Sequence, residues 1–322
     1  MVELDAIDRG LIYALNIDGR ASFSKIADVL GVSDQTVARR YRQLRATNTA
    51  RVVGLALPWR VGETRWYLRV RCAPDVSVSV ASALAMRSDT YWVRMLSGGT
   101  EIDCVVQCRA HQEPGNLLLQ KLPKTQRVLD VSAHSLLHAY VGGPVEQSEV
   151  LSGLTKEQVS ALRPKVRYTD EIVPLDDADY RMLAALERDG RVGFADLAKV
   201  TGWSESTAKR RVDFLRETGA LYFDVDMDMV ALGYPVEARL WMAVPPAQLA
   251  EVGRALAKHP EVVFAAATTG SRNLMASVVF RTVPAFYRYL TEKLGTLRAV
   301  ENLETAPVIR TLKRGATLLI NT

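Results

Sequence analysis

Cysteine is scarce in this chain of 322 residues: there are three, Cys72, Cys104 and Cys108. So small and odd a set excludes a disulfide framework and points to reduced thiols, hence to a cytoplasmic setting. Cys104 and Cys108 stand four apart, on one face of a strand, and are read as small apolar core residues rather than metal or redox ligands. No basic-then-apolar leader opens the chain, and no run of about 18 apolar residues interrupts it, so neither a standard secretion signal nor a membrane span is expected. Histidine is also sparse, with His111, His134, His138 and His259. There is no phosphate-binding glycine loop, nucleophile motif or metal-ligand cluster. The expectation is a protein with no catalytic residues, no cofactor and no metal.

What is present is apolar residues at 48% and charged residues at 24%, the balance of a folded chain with several cores. Lys and Arg number 41 against 36 Asp and Glu, a mild surplus whose placement decides its meaning.

The chain repeats itself. Leu4–Arg51 laid over Leu175–Tyr222, without a gap, aligns Leu4-Asp5 with Leu175-Asp176 and Asp8 with Asp179. The same offset aligns Asp18-Gly19-Arg20 with Asp189-Gly190-Arg191, Phe23 with Phe194, Gly31 with Gly202, Ser33 with Ser204, Thr36 with Thr207, Arg39-Arg40 with Arg210-Arg211, and Leu44-Arg45 with Leu215-Arg216. Each copy divides into a helical unit (1–60 and 175–232) and an α/β unit (61–140 and 233–322). The connector, 141–174, is rich in Gly, Pro and charge. One short helix, Thr155–Arg163, is expected in it, opened by the capping box of Thr155 and Gln158. A linker of that length could span ~100 Å extended, at roughly 3.3 Å per residue, so it need not fix how the halves meet.

In the helical unit, Asp5 is a good N-cap and Asp8 suits the positive start of a helix whose Ile7, Leu11 and Leu15 form an apolar stripe. Asp18-Gly19-Arg20 ends that helix. The second copy repeats it with Met182, Leu183 and Leu186. A second helix runs from about Ser22 to Leu30, Gly31 supplies a tight turn, and Ser33 caps a third helix reaching about Ala46. Two short helices, a glycine turn and a third helix make the pattern of a DNA-reading helix-turn-helix.

On the third helix, Val37, Tyr41 and Leu44 must face the core. The opposite face carries Gln35, Arg39 and Arg42. Arg can fork onto guanine or phosphate, Gln can pair with adenine, and Ser33 and Thr36 can donate to phosphate at the helix start. Arg40, at the edge of the apolar stripe, is open between a phosphate contact and a structural brace. In the second copy the matching candidates are Ser204, Ser206, Lys209 and Arg210. The copies are unequal, however: Asp34–Ala46 nets +3 and Glu205–Glu217 nets +1, with Asp213 standing where Arg42 does. Asp224, Asp226 and Asp228 follow on one side of a strand, read as a solvated face. The first copy is therefore expected to supply most of the DNA affinity.

Each α/β unit reads as strand-helix-strand-strand-helix-strand. In copy one the strands are about Trp66–Cys72, Tyr91–Ser97, Ile102–Arg109 and Val128–Leu137, with helices at Asp75–Met86 and Glu113–Leu122. In copy two the strands are about Glu237–Val244, Val262–Thr268, Leu274–Arg281 and Val300–Ile309, with helices at Pro246–Lys258 and Val283–Leu294. This is the ferredoxin-like βαββαβ order, whose helices cover one sheet face and leave an apolar face for a partner sheet; the other copy is the obvious partner. The fold class is α+β: two winged helix-turn-helix domains and two ferredoxin-like domains in tandem.

These motifs resemble the Lrp/AsnC, or feast/famine, regulators. The resemblance rests on Leu-Asp-x-x-Asp at Leu4 and Leu175, Asp-Gly-Arg after the first helix, and Gly-x-Ser-x-x-Thr-x-x-Arg-Arg at Gly31–Arg40 and Gly202–Arg211. It implies a transcription regulator that binds double-stranded DNA, carries sensing domains of RAM type, and assembles as a homo-oligomer of covalent pseudo-dimers. It also implies an amino-acid-like effector held between α/β domains near a glycine turn, which here would involve Gly98, Gly99, Thr100, Gly270, Ser271, Arg272 and Asn273. The usual Asp three residues after the glycine is Ile102 in one copy and Asn273 in the other. The alternative is an enzyme: paired sirohaem decarboxylases resemble the same architecture, and His134 and His138 share one face of a strand. An assembly protein that has lost DNA binding is a third reading, opposed by the intact Gln35, Arg39 and Arg42 face.

Overall fold

The structure is a computed structural model that describes residues 4–109, 127–142, 154–167, 171–315 and 317–319. The helix expected at Glu113–Leu122, and His111, lie outside these residues. The chain forms two compact units that group like with like: 1–62 with 151–232, and 63–150 with 233–322.

The first unit holds both helical copies. Copy one is α1 (Ala6–Ile17), α2 (Phe23–Leu30), α3 (Asp34–Ala46) and β1 (Ala50–Ala56). A connector helix, α5 (Lys156–Leu162), precedes copy two, which is α6 (Asp177–Arg188), α7 (Phe194–Thr201), α8 (Glu205–Glu217) and β6 (Leu221–Met227). Asp5 and Asp176 cap their helices through full capping boxes with Asp8 and Asp179. Gly31 and Gly202 end α2 and α7 in the left-handed region, φ +68° and +81°, which a Cβ would penalise. Leu11, Leu15, Ile26, Val37 and Leu44 of copy one are buried, as are Met182, Leu186, Leu197, Val212 and Leu215 of copy two. Each such side chain contributes about 1.5–3 kcal/mol by leaving water.

The two helical copies are locked together by contacts that no local sequence pattern announces. Each wing is a single strand, and β1 pairs antiparallel with β6 of the other copy, Val53 facing Asp224. Arg20 donates to the carbonyls of Gly190 (2.9 Å) and Val192 (3.2 Å); Arg191 returns the bond to Gly19 (2.7 Å) and Ala21 (2.9 Å). The two guanidinium groups lie over Phe194 and Phe23, 4.8 and 4.3 Å from the ring centroids. Arg216 pairs with Asp18 and Arg45 with Asp189. The Asp-Gly-Arg motif thus does more than stop a helix. Its glycine is small because a Cβ at Gly190 would lie 2.7 Å from Val52 Cγ1 and 2.8 Å from the Val53 carbonyl carbon.

The connector is not a free tether within its described part. The Thr155–Gln158 capping box forms as expected, but Gln158 Nε2 also donates to the Val29 carbonyl (2.6 Å), and Leu162 is fully buried. Further on, Arg167 N–H donates to the Glu217 carbonyl and Val173 N–H to that of Arg60, while Arg60 donates to Glu171 and Thr218 carbonyls. The described parts of the connector are therefore bonded to both helical copies.

The second unit holds both α/β copies. Copy one is β2 (Glu63–Cys72), α4 (Ser77–Ala85), β3 (Thr90–Leu96), β4 (Glu101–Arg109) and β5 (Val128–Val141). Copy two is β7 (Val236–Ala243), α9 (Pro246–Leu256), β8 (Val262–Thr268), β9 (Leu274–Phe280), α10 (Val283–Arg288) and β10 (Asn302–Thr311). Each copy orders its strands second-third-first-fourth, the ferredoxin-like sheet. The sheets join edge to edge, β5 to β8 and β10 to β3, into a closed barrel ordered β10-β3-β4-β2-β5-β8-β9-β7. Closure removes the sheet edges that invite aggregation. Outer cores form under α4, around Leu68, Val70 and Cys104, and under α9, around Leu240, Met242 and Leu256. Cys104 is a buried free thiol, raised in pKa by that burial, in keeping with a core role.

The inner face of the barrel is not purely apolar as expected. Beside Tyr67, Tyr91, Val105, Trp241, Ala266 and Met275 it buries charge: Arg239 is 1% exposed and Asp103 is fully buried.

Candidate nucleic-acid interface

Helix α3 starts with Ser33, whose Oγ accepts from Thr36 N–H (3.1 Å) and lies 2.9 Å from the Thr36 hydroxyl. Asp34 accepts from Gln35 N–H (2.7 Å). Val37, Tyr41 and Leu44 anchor the helix inward, and Tyr41 OH accepts from Val52 N–H (3.2 Å). The opposite face presents Gln35, Arg39 and Arg42, all exposed. Among the described residues no ion-pair partner engages Arg39. Arg42 reaches back only to the Ala38 carbonyl, 3.4 Å away, so its guanidinium stays open to solvent. Ala38 keeps this face low, which lets a groove approach closely.

Arg40 belongs elsewhere and corrects the expected site. It pairs with Asp5 (2.7 Å) and Asp8 (3.1 Å), tying α3 to the start of α1. Arg211 does the same in copy two, holding Asp179 through two bonds of 2.6 and 2.7 Å. Arg40 is the brace of the two readings. The same spacing of 32 residues in both copies is a signal the sequence held.

In copy two, Ser204 caps α8 by accepting from Thr207 N–H (3.2 Å) and lies 2.9 Å from Ser206 Oγ. Arg210 is exposed. Lys209 is bonded to Asp213 at 2.8 Å along the same helix face, so part of this copy's positive charge is neutralised where copy one carries Arg42. The Asp224–Asp228 stretch also differs from expectation. Asp226 is buried and pairs with Arg51 across β1 and β6 (3.1 Å), an internal ion pair rather than a solvated face. Among the described residues no group of acidic, His or Cys side chains is arranged to hold a metal.

The latch between the copies sets α3 and α8 in one body. Its cost is legible in Arg20: burial, then the nearby charges of Arg191 and Arg216, push the guanidinium down to about 10, still protonated at neutral pH. The carbonyl acceptors of the other copy offset that cost.

The expected effector residues do not form one site. Gly98 and Thr100 are exposed, and Thr100 closes the turn by donating to the Ser97 carbonyl (3.1 Å). Gly99 is buried beside Met95 and Ile309. Gly270 packs against the His134 ring, Nδ1 of which lies 2.8 Å from the Thr269 carbonyl. Ser271 is exposed. Two residues are corrected to structural roles. Asn273 spends both ends of its amide on the Val244 backbone, 2.8 and 3.0 Å, and Arg272 is paired with Glu304 at 2.5 Å. As for the histidines, His134 lies against Trp241 and His138 against Tyr140, so the two rings face different neighbours.

Comparison with known proteins agrees with this architecture. Residues 4–45 and 175–216 each match the AsnC-type helix-turn-helix domain, and 238–318 match the Lrp/AsnC ligand binding domain. The HTH-type transcriptional regulator FL11 of Pyrococcus horikoshii is 32% identical over 149 residues, 46% of this chain and 98% of that protein. The regulatory protein AsnC of Haemophilus influenzae is 29% identical over 146 residues, 43% of this chain and 97% of that protein. The chain belongs to the Lrp/AsnC family of helix-turn-helix transcription regulators. Among solved structures, the siroheme decarboxylase NirDL superposes with a TM-score of 0.65 at 15% identity, covering 96% of this chain and 93% of that one, a likeness of fold alone. No helix among the described residues is long and apolar enough to cross a membrane.

Proposed function

We propose that this chain is a cytoplasmic, non-enzymatic transcription regulator that grips double-stranded DNA with α3 and α8 together and reads two unequal half-sites. Gln35, Arg39 and Arg42 take base edges and phosphates, with Ser33 and Thr36 on phosphate; Ser204, Ser206, Lys209 and Arg210 make a weaker set. The observation that carries this reading is the exposed Gln35–Arg39–Arg42 face on a capped, well-anchored helix. The pairing of Lys209 with Asp213 supports the inequality. A small-molecule effector near the Gly98–Thr100 turn, and homo-oligomers of whole chains, extend the reading by family analogy.

The test is binding to the chain's own upstream DNA across a salt series. Arg39→Ala is expected to cost more affinity than Arg210→Ala, and each lost phosphate contact lowers the salt slope by about 0.9. Equal losses reject the inequality. Failure of the wild type to bind any duplex at low salt rejects the regulator reading.

A further inference from the structure

The inner faces of the two barrel sheets meet through charges that are complementary rather than symmetric. Asp103 of copy one accepts from Arg239 of copy two (2.8 Å) and from its own copy's Tyr67, whose hydroxyl also takes an Arg239 bond (3.2 Å). Arg94 of copy one lies 3.3 Å from Glu237 of copy two. Arg69 of copy one bonds Glu304 of copy two (2.5 Å) and stacks on Trp241, 4.9 Å from its ring.

Strand registers make each residue's counterpart explicit. Leu68 faces Cys104 as Leu240 faces Ala276, and Arg69 faces Asp103 as Trp241 faces Met275. Likewise Tyr67 faces His134 as Arg239 faces Ala306, and Arg94 faces Asp103 as Ala266 faces Met275. Hence Tyr67 corresponds to Arg239, Arg69 to Trp241, Asp103 to Met275, Arg94 to Ala266 and Arg65 to Glu237.

We propose that this inner face is a pairing code: each α/β copy accepts the other kind and rejects its own. A pair of first copies would set Arg94 against Arg65, Arg69 against Arg69, and leave two Asp103 carboxylates without Arg239. A pair of second copies would set Arg239 against Arg239 and offer it Met275 in place of Asp103. Buried charges without partners are strongly disfavoured, so both like pairings are penalised, while the mixed one gives Asp103, Arg94 and Arg69 each an oppositely charged group of copy two. The partner this surface fits is therefore a copy-two sheet, supplied by the same chain or reciprocally by another copy of it. An α/β domain built for symmetric pairing is excluded.

A protease site placed in 143–153 of the full chain allows the halves to be cut apart after folding, unfolded in urea, refolded, and weighed by native mass spectrometry. Mixed pairs are expected to exceed like pairs by more than ten to one. A statistical one-to-two-to-one mixture overturns the proposal. Arg94→Glu places a carboxylate against Glu237 in the mixed pair but against Arg65 in a pair of first copies. It is expected to raise first-copy pairs specifically. An Arg94→Glu protein that loses stability with unchanged pairing overturns the code. Should the cut halves fail to refold, urea unfolding of the intact chain supplies the test. Asp103→Leu combined with Arg239→Leu is expected to recover more than half of the midpoint lost by the single changes, whereas additive losses overturn the proposal.

Discussion

The helical unit and the α/β unit both join copy one to copy two, but by opposite means. Between the helical copies the main bonds are reciprocal: Arg20 and Arg191 each reach two backbone carbonyls of the other copy. Every residue type presents a carbonyl, so these four bonds are indifferent to which copy they meet, and only the Arg51–Asp226 pair beside them is particular to one copy each. Between the sheets the bonds run from one copy's carboxylate to the other copy's guanidinium, as in Asp103–Arg239. A joint made of main chain holds; a joint made of unlike side chains holds and also chooses.

The largest expected effect breaks the selective joint. Asp103→Leu removes one of the two buried carboxylates that hold Arg239, leaving only Glu237, and should destabilise the chain by about 3 kcal/mol, read as a fall in the urea midpoint. Asp103→Leu with Arg239→Leu should recover most of it, since replacing a whole buried pair is often near neutral. Next comes the reader: Arg39→Ala should weaken specific DNA binding by about 1–3 kcal/mol, measured by titration at fixed salt. Gly190→Ala tests the indifferent joint. Its methyl group meets Val52 and the Val53 backbone, so a loss of about 1–3 kcal/mol is expected, with the helical unit melting first in hydrogen exchange.

A smaller effect follows from pH. Glu304 is held below the ordinary carboxylate value by its bond to Arg69; burial acts to raise Glu237, but Arg94 and Arg239 outweigh it and hold it low as well. Both groups are thus more acidic folded than unfolded. The stability they add is complete above the unfolded value of about 4.3 and drains away as pH falls through the lower folded values. The urea midpoint should hold from pH 7 to 5, then drop at acid pH, and Glu237→Gln should flatten that drop. Smallest of all, Asp213→Ala releases Lys209 and should raise DNA affinity by a few tenths of a kcal/mol, in the range of an exposed ion pair.

Much of the fold was written in local pattern. The capping boxes at Asp5, Thr155 and Asp176, the glycine turn at Gly31, and the alternating Leu68-Arg69-Val70-Arg71-Cys72 of β2 depend on neighbours a few residues away. The exposed face of α3 was legible for the same reason, because helical periodicity alone separates Arg39 from Tyr41. What stayed hidden depends on long-range meetings. Nothing near Arg20 in sequence says that its acceptors lie at Gly190, and nothing near Asp103 names Arg239. Arg40 was ambiguous from its helix position and resolved only when Asp8 came within reach. Asn273 sat at the expected effector position, yet its amide was already spent on Val244, a contact across strands that a linear reading cannot weigh.

The strap from α5 to Val173 carries one more consequence. Because its described parts are bonded to copy one through Gln158 and Val173 and to copy two through Arg167, they act as a splint between the helical copies. Lengthening or shortening it would not merely change how far apart the halves can wander; it would pull on the backs of the readers themselves. Chains that share this plan should therefore tolerate drift in the splint's surface but resist insertions along it.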